Sequence, residues 1–187
     1  MSRGKCASLK NSARRQKLVD SRYNNSVLVS RLIRALMVEG KAAKARSIVY
    51  QAMESATLEL PKRVELPEHN GPRDKELVVL EKALSIIIPR TEIKSRKVGG
   101  ASYQIPIMIN KERGMTLALR WLVTSARKRS EGKPMHVKLS REIVATLEGK
   151  SATLHRKETQ DKIASANRAN TNLIRKRDSQ PAASDKE

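Results

Sequence analysis

Three arginines recur at intervals of seven residues in the middle of the chain, at Arg113, Arg120 and Arg127. The residues between them follow a helical period. Seven residues of α-helix rotate by about 700°, so the three guanidinium groups drift by only about 20° per step and share one face. Only two acidic residues lie between residues 111 and 133. A row with so few neighbouring carboxylates favours phosphate binding over the alternative, a solvated helix face without a ligand.

The other residues that could do chemistry do not assemble into a catalytic or metal site. Gly149-Lys150-Ser151 is similar to the end of a phosphate-binding loop, but Val144 stands where the earlier glycine belongs. His155 and Glu158 have the i, i+3 spacing of some di-metal bundles, but the sequence offers no second pair of this kind. We therefore expect no enzyme activity, no metal site and no cofactor.

The composition favours a large polyanion as the partner. The 187 residues include 39 Lys and Arg against 19 Asp and Glu, a formal net charge of +20. Nucleic acid is the first expectation and an anionic membrane the second. With one Trp, three Tyr and no Phe, the chain has no array of rings on which successive unpaired bases could stack. Phosphate contacts to a structured nucleic acid are therefore expected.

The sequence also limits the cellular compartments in which the protein is expected. A single cysteine, Cys6, excludes an internal disulfide and fits a reducing compartment. No apolar run approaches the ~18 residues that a membrane span requires. The basic N-terminus lacks an apolar segment, so we expect no secretory signal.

Helical periodicity predicts six helices. The predicted helices span residues 25–39, residues 41–58, Asp74 as N-cap to Pro89, residues 111–130, Pro134 to Gly149, and Ser151 as N-cap onward. Between the third and fourth helices the apolar period changes from 3.6 to 2, which is typical of strands.

The two predicted strands, Thr91–Val98 and Ala101–Ile109, flank Gly99-Gly100, a strong hairpin signal. Pro106 lacks a backbone donor, which favours an isolated ribbon over part of a larger sheet. The predicted fold class is mainly α: a six-helix domain with a protruding two-stranded β-ribbon between helices 3 and 4.

The charge distribution predicts three segments. Residues 1–24 hold seven basic groups and one acidic group and show no apolar period, which predicts a basic N-terminal extension that becomes ordered on a polyanion. Residues 25–177 form the predicted single helical domain, with residues 91–109 as its ribbon arm. Residues 178–187 are polar and are predicted to be a disordered tail.

Short motifs occur at matching spacing from about residue 20 to 172. They are Ser26-x-Leu28, Leu32-Ile33, Gly40-Lys41, Ile48-Val49 with Ala52, Glu92 to Pro106, Leu117 to Leu122, Ala126 to Arg129, Gly132 to Met135, His155 to Thr159 and Ala166 to Ala169. Together they resemble the bacterial-type small-subunit ribosomal protein seven family. So many motifs at matching spacing make a chance similarity very improbable.

The resemblance implies a structural constituent of the small ribosomal subunit. Such a protein would bind the 3′ major domain of small-subunit rRNA and help assemble the subunit head. Its ribbon would lie near exit-site tRNA and mRNA, and its protein neighbours would include small-subunit ribosomal proteins nine and eleven. No membrane and no small-molecule substrate are expected.

Charge and resemblance together predict the contact residues. The predicted rRNA contacts are Arg3, Lys5, Arg14, Arg15, Lys17, Arg22, Lys41, Lys44, Lys94, Arg96, Arg113, Arg120, Arg127, Lys128, Arg156 and Lys157. The predicted ribbon tip, near tRNA and mRNA, consists of Lys97, Val98, Gly99, Gly100 and Ala101.

One motif bears on the compartment. Glu112-Arg113-Gly114 followed by Leu117 to Trp121 is most similar to plastid and cyanobacterial members of the family. It favours an organellar protein of the plastid stroma, with a bacterial cytoplasm as the alternative.

Two other classes of function stay open at this point. A DNA-architectural protein would insert its basic ribbon into the minor groove, but such an arm needs an apolar wedge at its tip, where Val98 to Ala101 offer only small groups. An RNA-modifying enzyme would need a cofactor loop or an acid–base pair, and the sequence shows neither.

Overall fold

The computed structural model describes residues 21–23, 26–60, 72–98 and 100–173. The helices are α1 (Val27–Leu36), α2 (Ala42–Leu58), α3 (Pro72–Ile87), α4 (Lys111–Lys128), α5 (Met135–Leu147) and α6 (Ala152–Ala166), and the strands are β1 (Thr91–Val98) and β2 (Ala101–Met108). Short 3₁₀ turns cover Ser21–Tyr23 and Arg168–Leu173. The described residues confirm the predicted fold class. The predicted tail, and the predicted N-terminal extension apart from residues 21–23, lie outside the described residues.

The core forms where the apolar faces of the helices meet. α1 packs against α2 and α4, and α5 packs against α2, α3 and α4. α4 contributes the broadest buried surface, in which Leu122 and Trp121 are almost fully covered. The opposite side of α4 remains exposed at Arg113, Arg120 and Arg127, as the heptad spacing predicts.

Helix ends mostly follow the predicted signals. The Ser151 hydroxyl accepts a hydrogen bond from the Leu154 N–H at 3.0 Å, which confirms this residue as an N-cap. Gly40 follows α1 with φ of +72°, a conformation that glycine adopts without steric cost. The predicted N-cap Asp74 is wrong, because α3 already begins at Pro72 and Asp74 lies in its first turn. Proline suits a first helical position because its φ is preset and no donor is lost.

The ribbon is a two-stranded antiparallel sheet in which Lys97 pairs with Ser102 and Ile93 pairs with Pro106. Ile105 and Pro106 are buried at its root, whereas residues 101–104 are exposed. The root is tied to the C-terminal part of the chain by two hydrogen bonds. Gln160 Nε2 donates to the Thr91 carbonyl at 2.5 Å, and Asn170 Nδ2 donates to the Gln104 carbonyl at 3.2 Å. The outer half of the ribbon therefore projects from a fixed base.

A fully buried carboxylate, Glu142 on α5, joins three elements. Its Oε2 accepts from Arg129 Nε at 2.8 Å, just after α4, and its Oε1 accepts from the Thr153 hydroxyl at 2.7 Å and the Thr153 N–H at 3.2 Å, at the start of α6. Arg129 also donates to Glu131 at 3.0 Å. Burial opposes ionisation of Arg129, but these hydrogen bonds outweigh it and raise its pKa.

A glycine inside α4 is explained by a close approach. A β-carbon at Gly114 would lie 3.0 Å from Ile88 Cγ2 and 3.1 Å from the Pro89 carbonyl oxygen. We expect Gly114→Ala to lower the free energy of unfolding by about 1–3 kcal/mol through overpacking, although alanine otherwise favours a helix by about 1 kcal/mol. Urea unfolding measures this change, with the exposed Thr116→Ala in the same helix as a control within about 0.5 kcal/mol of the parent. A stabilised Gly114→Ala variant would contradict the prediction.

Candidate nucleic-acid interface

A groove between α1 and α4 collects four arginines on one side of the molecule. Its volume is about 580 Å³. Its charged lining consists of Arg31, Arg34, Arg120 and Arg127, which we call the arginine groove. Ala35, Leu119 and Val123 contribute apolar lining between them. The groove thus combines concentrated positive charge with a short apolar floor.

Local sequence places each arginine. Arg31 and Arg34 lie three residues apart on α1, outside the apolar stripe that buries Leu32 and Leu36. Arg120 and Arg127 lie seven residues apart on α4 and point to the same side. Because α1 packs against α4, the polar edges of the two helices come together.

Two of the four guanidinium groups are held by the protein itself. Arg127 Nη2 donates to the Leu36 carbonyl at 2.9 Å and thereby satisfies a carbonyl in the last turn of α1. Arg31 contacts Glu112 at 3.5 Å and the Met115 sulfur at 3.6 Å. Arg34 and Arg120 are exposed, and within the described residues neither side chain forms an ion pair or hydrogen bond. These two are therefore the cations in the groove most available to a ligand.

Arg113 differs from the rest of its row. Its Nε and Nη2 donate to the two carboxylate oxygens of Glu92 at 3.1 and 2.8 Å. These hydrogen bonds hold the pKa of Glu92 below its usual range, so the carboxylate stays ionised. The expectation of a row without neutralising acids is therefore wrong at Arg113. Glu92 precedes Arg113 by 21 residues, and only the ribbon's return onto α4 brings the two together.

A second groove lies at the root of the ribbon, between β1, α4 and α6. It has a volume of about 550 Å³. Lys128 and Arg156 supply its cationic groups, and His155 lies beside them. Ile93 and Ile163 form part of its apolar lining. We call it the ribbon-root groove. The Arg156 guanidinium carbon lies 5.5 Å from the ring centroid of the buried Trp121, within cation–π range.

The remaining predicted contacts are dispersed. Lys157 is tied to the Ile86 carbonyl at 2.5 Å, so it holds α6 to α3. Arg22 lies 4.5 Å above the Tyr50 ring. Lys41 forms an exposed ion pair with Glu39 at 2.6 Å, and with Lys44 it lines a small apolar pocket beside Arg127. None of these four side chains lines the arginine groove or the ribbon-root groove. Lys41 and Lys44 are linked to the arginine groove only through Arg127, which lines both that groove and their pocket.

Of the predicted ribbon residues, Lys94, Lys97, Gly100 and Ala101 are exposed and Arg96 is half-buried. The residues outside the description are Arg3, Lys5, Arg14, Arg15, Lys17, Gly99 and the side chain of Val98.

Sequence reasoning missed Arg31 and Arg34. Their spacing on α1 reads as an ordinary solvated face, because nothing local indicates that another helix will place two more arginines opposite them. The heptad-spaced Arg120 and Arg127 were the one signal in the sequence for a basic groove. That signal could not identify Arg31 and Arg34, because the sequence does not show which helix packs beside α4 or in which orientation.

Two kinds of site are absent from the described residues. Among them, no group of three or more His, Cys, Asp and Glu side chains is arranged to hold a metal ion. No helix in the same residues is both long and apolar enough to cross a membrane.

Comparison with known proteins identifies one family. The family profile described as ribosomal protein S7p/S5e matches residues 7–168. The small ribosomal subunit protein uS7 of Nitrosococcus oceani is 42% identical over 157 residues, 84% of this chain and 92% of that protein. A uS7 of Listeria monocytogenes is 41% identical over the same shares. The uS7 of Chloroflexus aggregans is 40% identical over 150 residues, 80% of this chain and 87% of that protein.

Proposed function

Because the chain belongs to the ribosomal protein S7p/S5e family, we propose that its arginine groove binds the 3′ major domain of small-subunit rRNA and that it helps assemble the subunit head. The protein is a structural component of the small ribosomal subunit, and it is not an enzyme. This confirms the predicted family and the absence of catalytic activity.

The observation that carries the proposed site is the convergence of four guanidinium groups in one groove. Like charges held together repel one another. Within the described residues, the four guanidinium groups form one ion pair, between Arg31 and Glu112 at 3.5 Å. Phosphates of a nucleic acid relieve this repulsion and accept bidentate hydrogen bonds from guanidinium groups. Arg127, fixed on the end of α1, offers such a contact with little further loss of side-chain entropy.

The proposed function also includes RNA contacts outside the arginine groove, which are supported by charge and by the family resemblance. We assign residues 1–24 to rRNA as a basic extension of the helical domain, and Lys94 and Arg96 to RNA beside the ribbon. The exposed outer half of the ribbon, with the family resemblance, supports placing its tip near exit-site tRNA and mRNA. The resemblance also supports small-subunit ribosomal proteins nine and eleven as neighbours.

Co-sedimentation tests the assignment to the subunit. A tagged protein, expressed in its own cells, is expected to migrate with small subunits through a sucrose gradient at moderate salt. The motif from Glu112 to Trp121 favours plastid subunits, so organelle fractionation should place the tagged protein in plastids. Recovery with large subunits, or only as free protein, would contradict the proposed function. Recovery with small subunits outside plastids would contradict only the proposed compartment.

Shortening the ribbon separates anchoring from function. Replacing Val98–Ala101 with Asn-Gly removes the end of the outer half and keeps Lys97 opposite Ser102, so the buried root at Ile105 and Pro106 stays in register. We expect the altered protein to enter small subunits normally, because the arginine groove is intact. Ribosomes that contain it are expected to change exit-site tRNA retention or reading-frame accuracy. Failure to enter subunits would instead make the ribbon an assembly anchor.

A further inference from the structure

The ribbon-root groove has features that phosphate contacts alone do not require. Ile163 on its wall is 37% exposed. The hydroxyls of Thr124 and Thr159 already donate to backbone carbonyls of their own helices, so neither has a proton left to donate to a ligand. The groove therefore presents substantial apolar surface beside its cations.

Charge on α6 is divided between two faces. The residues that line the groove, Ala152, His155, Arg156, Thr159, Gln160 and Ile163, follow a spacing of three and four and so share one face. Glu158 and Asp161 lie on the opposite face by the same helical geometry. The groove side of α6 therefore carries basic groups without acids, and Lys128 from α4 adds another cation.

Arg156 supplies a planar surface in a chain that is poor in rings. Its guanidinium group lies over Trp121, which positions the group and leaves it exposed to solvent. Arginine planes stack on nucleic acid bases as aromatic rings do. The sequence excludes an array of rings for successive bases, but one supported guanidinium plane is sufficient for a single base.

The groove is also preorganised. Gln160 is bonded to the Thr91 carbonyl and Lys157 to the Ile86 carbonyl, both at 2.5 Å, so α6 is fixed against the segment that enters the ribbon. A volume of about 550 Å³ falls within the range of pockets that hold small organic groups. Little order has to be gained when such a groove is filled.

We propose that the ribbon-root groove binds one unpaired nucleotide of a single-stranded RNA segment, with the base between Arg156 and Ile163 and the phosphate at Lys128. The inference rests on the proposed RNA-binding function but concerns a different groove and an unpaired strand. It gives the two grooves separate partners: a structured RNA in the arginine groove and a single strand at the root of the ribbon.

Trp121 provides the readout, since it is the only tryptophan in the chain and lies beneath Arg156. Titration with a hexamer of adenosines is expected to change its fluorescence, and a twelve-base-pair RNA duplex is expected to change it much less. Lys128→Gln/Arg156→Gln should weaken hexamer binding by about tenfold or more, as expected for loss of a stacked base. Ile163→Ser should weaken it without any change of charge.

The matched control is Lys150→Gln/Lys162→Gln, which removes two exposed charges that line neither groove. Equal losses in the two double variants, or an unchanged Trp121 signal with the parent protein, would overturn the proposal. Circular dichroism confirms that each variant is folded. Binding of an rRNA fragment through Arg34 and Arg120 is measured separately, so its failure would count against the proposed function and not against this groove.

Discussion

Raising the salt concentration from about 50 to 200 mM is expected to weaken binding to a fragment of the 3′ major domain by on the order of 10³–10⁵, the range for proteins that make about 6–10 phosphate contacts. The net charge of +20 and the four converging arginines support that number of contacts. Filter binding across a salt series gives the slope of log affinity against log salt. A nearly flat plot would contradict electrostatic binding.

The arginine groove makes this prediction specific. Arg34→Gln/Arg120→Gln removes the two guanidinium groups that have no hydrogen bond or ion pair within the described residues. We expect the salt slope to fall by about two and the low-salt affinity by at least about a hundredfold, since a hydrogen bond to a charged group contributes about 1.5–3 kcal/mol. Melting should be nearly unchanged because both side chains are exposed. Lys150→Gln/Lys162→Gln loses the same charge outside the groove and should lose far less affinity.

Glu142→Ala is expected to lower the free energy of unfolding by about 3–5 kcal/mol, the range for removing one partner of a buried ion pair and leaving the other partner in place. The change leaves the Arg129 guanidinium and the Thr153 N–H and hydroxyl without their buried acceptor. Since small domains are stabilised by only about 5–15 kcal/mol, much of the net stability depends on this carboxylate. Urea unfolding monitored by circular dichroism measures the loss.

The matched control is Glu131→Ala, which removes the other carboxylate bonded to Arg129. Glu131 lies at the surface with 30% of its side chain exposed, and it also accepts a hydrogen bond from Arg141 at 2.5 Å, which lowers the pKa of Glu131. Exposed ion pairs contribute about 0–1 kcal/mol, so this variant should remain close to the parent protein. Equal losses for the two variants would show that burial of Glu142 is not what stabilises the junction of α4, α5 and α6.

Local sequence predicted the architecture well because the elements are specified by local patterns. Apolar periodicity identified all six helices of the described residues, and Gly99-Gly100 between alternating strands identified the ribbon. The error at Asp74 was also local: two signals for a helix start, a proline and an aspartate, stand two residues apart, and the proline defines the first turn.

The parts of the site that sequence could not predict depend on long-range contacts. Arg113 and Glu92 are 21 residues apart, and Arg127 reaches a carbonyl 91 residues upstream. From its sequence position, Glu142 is expected on the exposed face of an amphipathic helix. In the structure it is fully buried, because Arg129 after α4 and Thr153 at the start of α6 enclose it. Helical periodicity shows which face a side chain occupies, but not which charges another element places against it.

The ribbon's anchored root has a mechanical consequence. Four residue pairs, from Ser95–Gln104 to Val98–Ala101, extend beyond the buried Ile105 and Pro106. They form an arm about 13 Å long at about 3.3 Å per residue. A tilt of about 10° at the fixed end displaces the free end by about 2 Å. Because α6 and the 3₁₀ turn Arg168–Leu173 clamp that fixed end through Gln160 and Asn170, small displacements of these two elements are amplified at the tip.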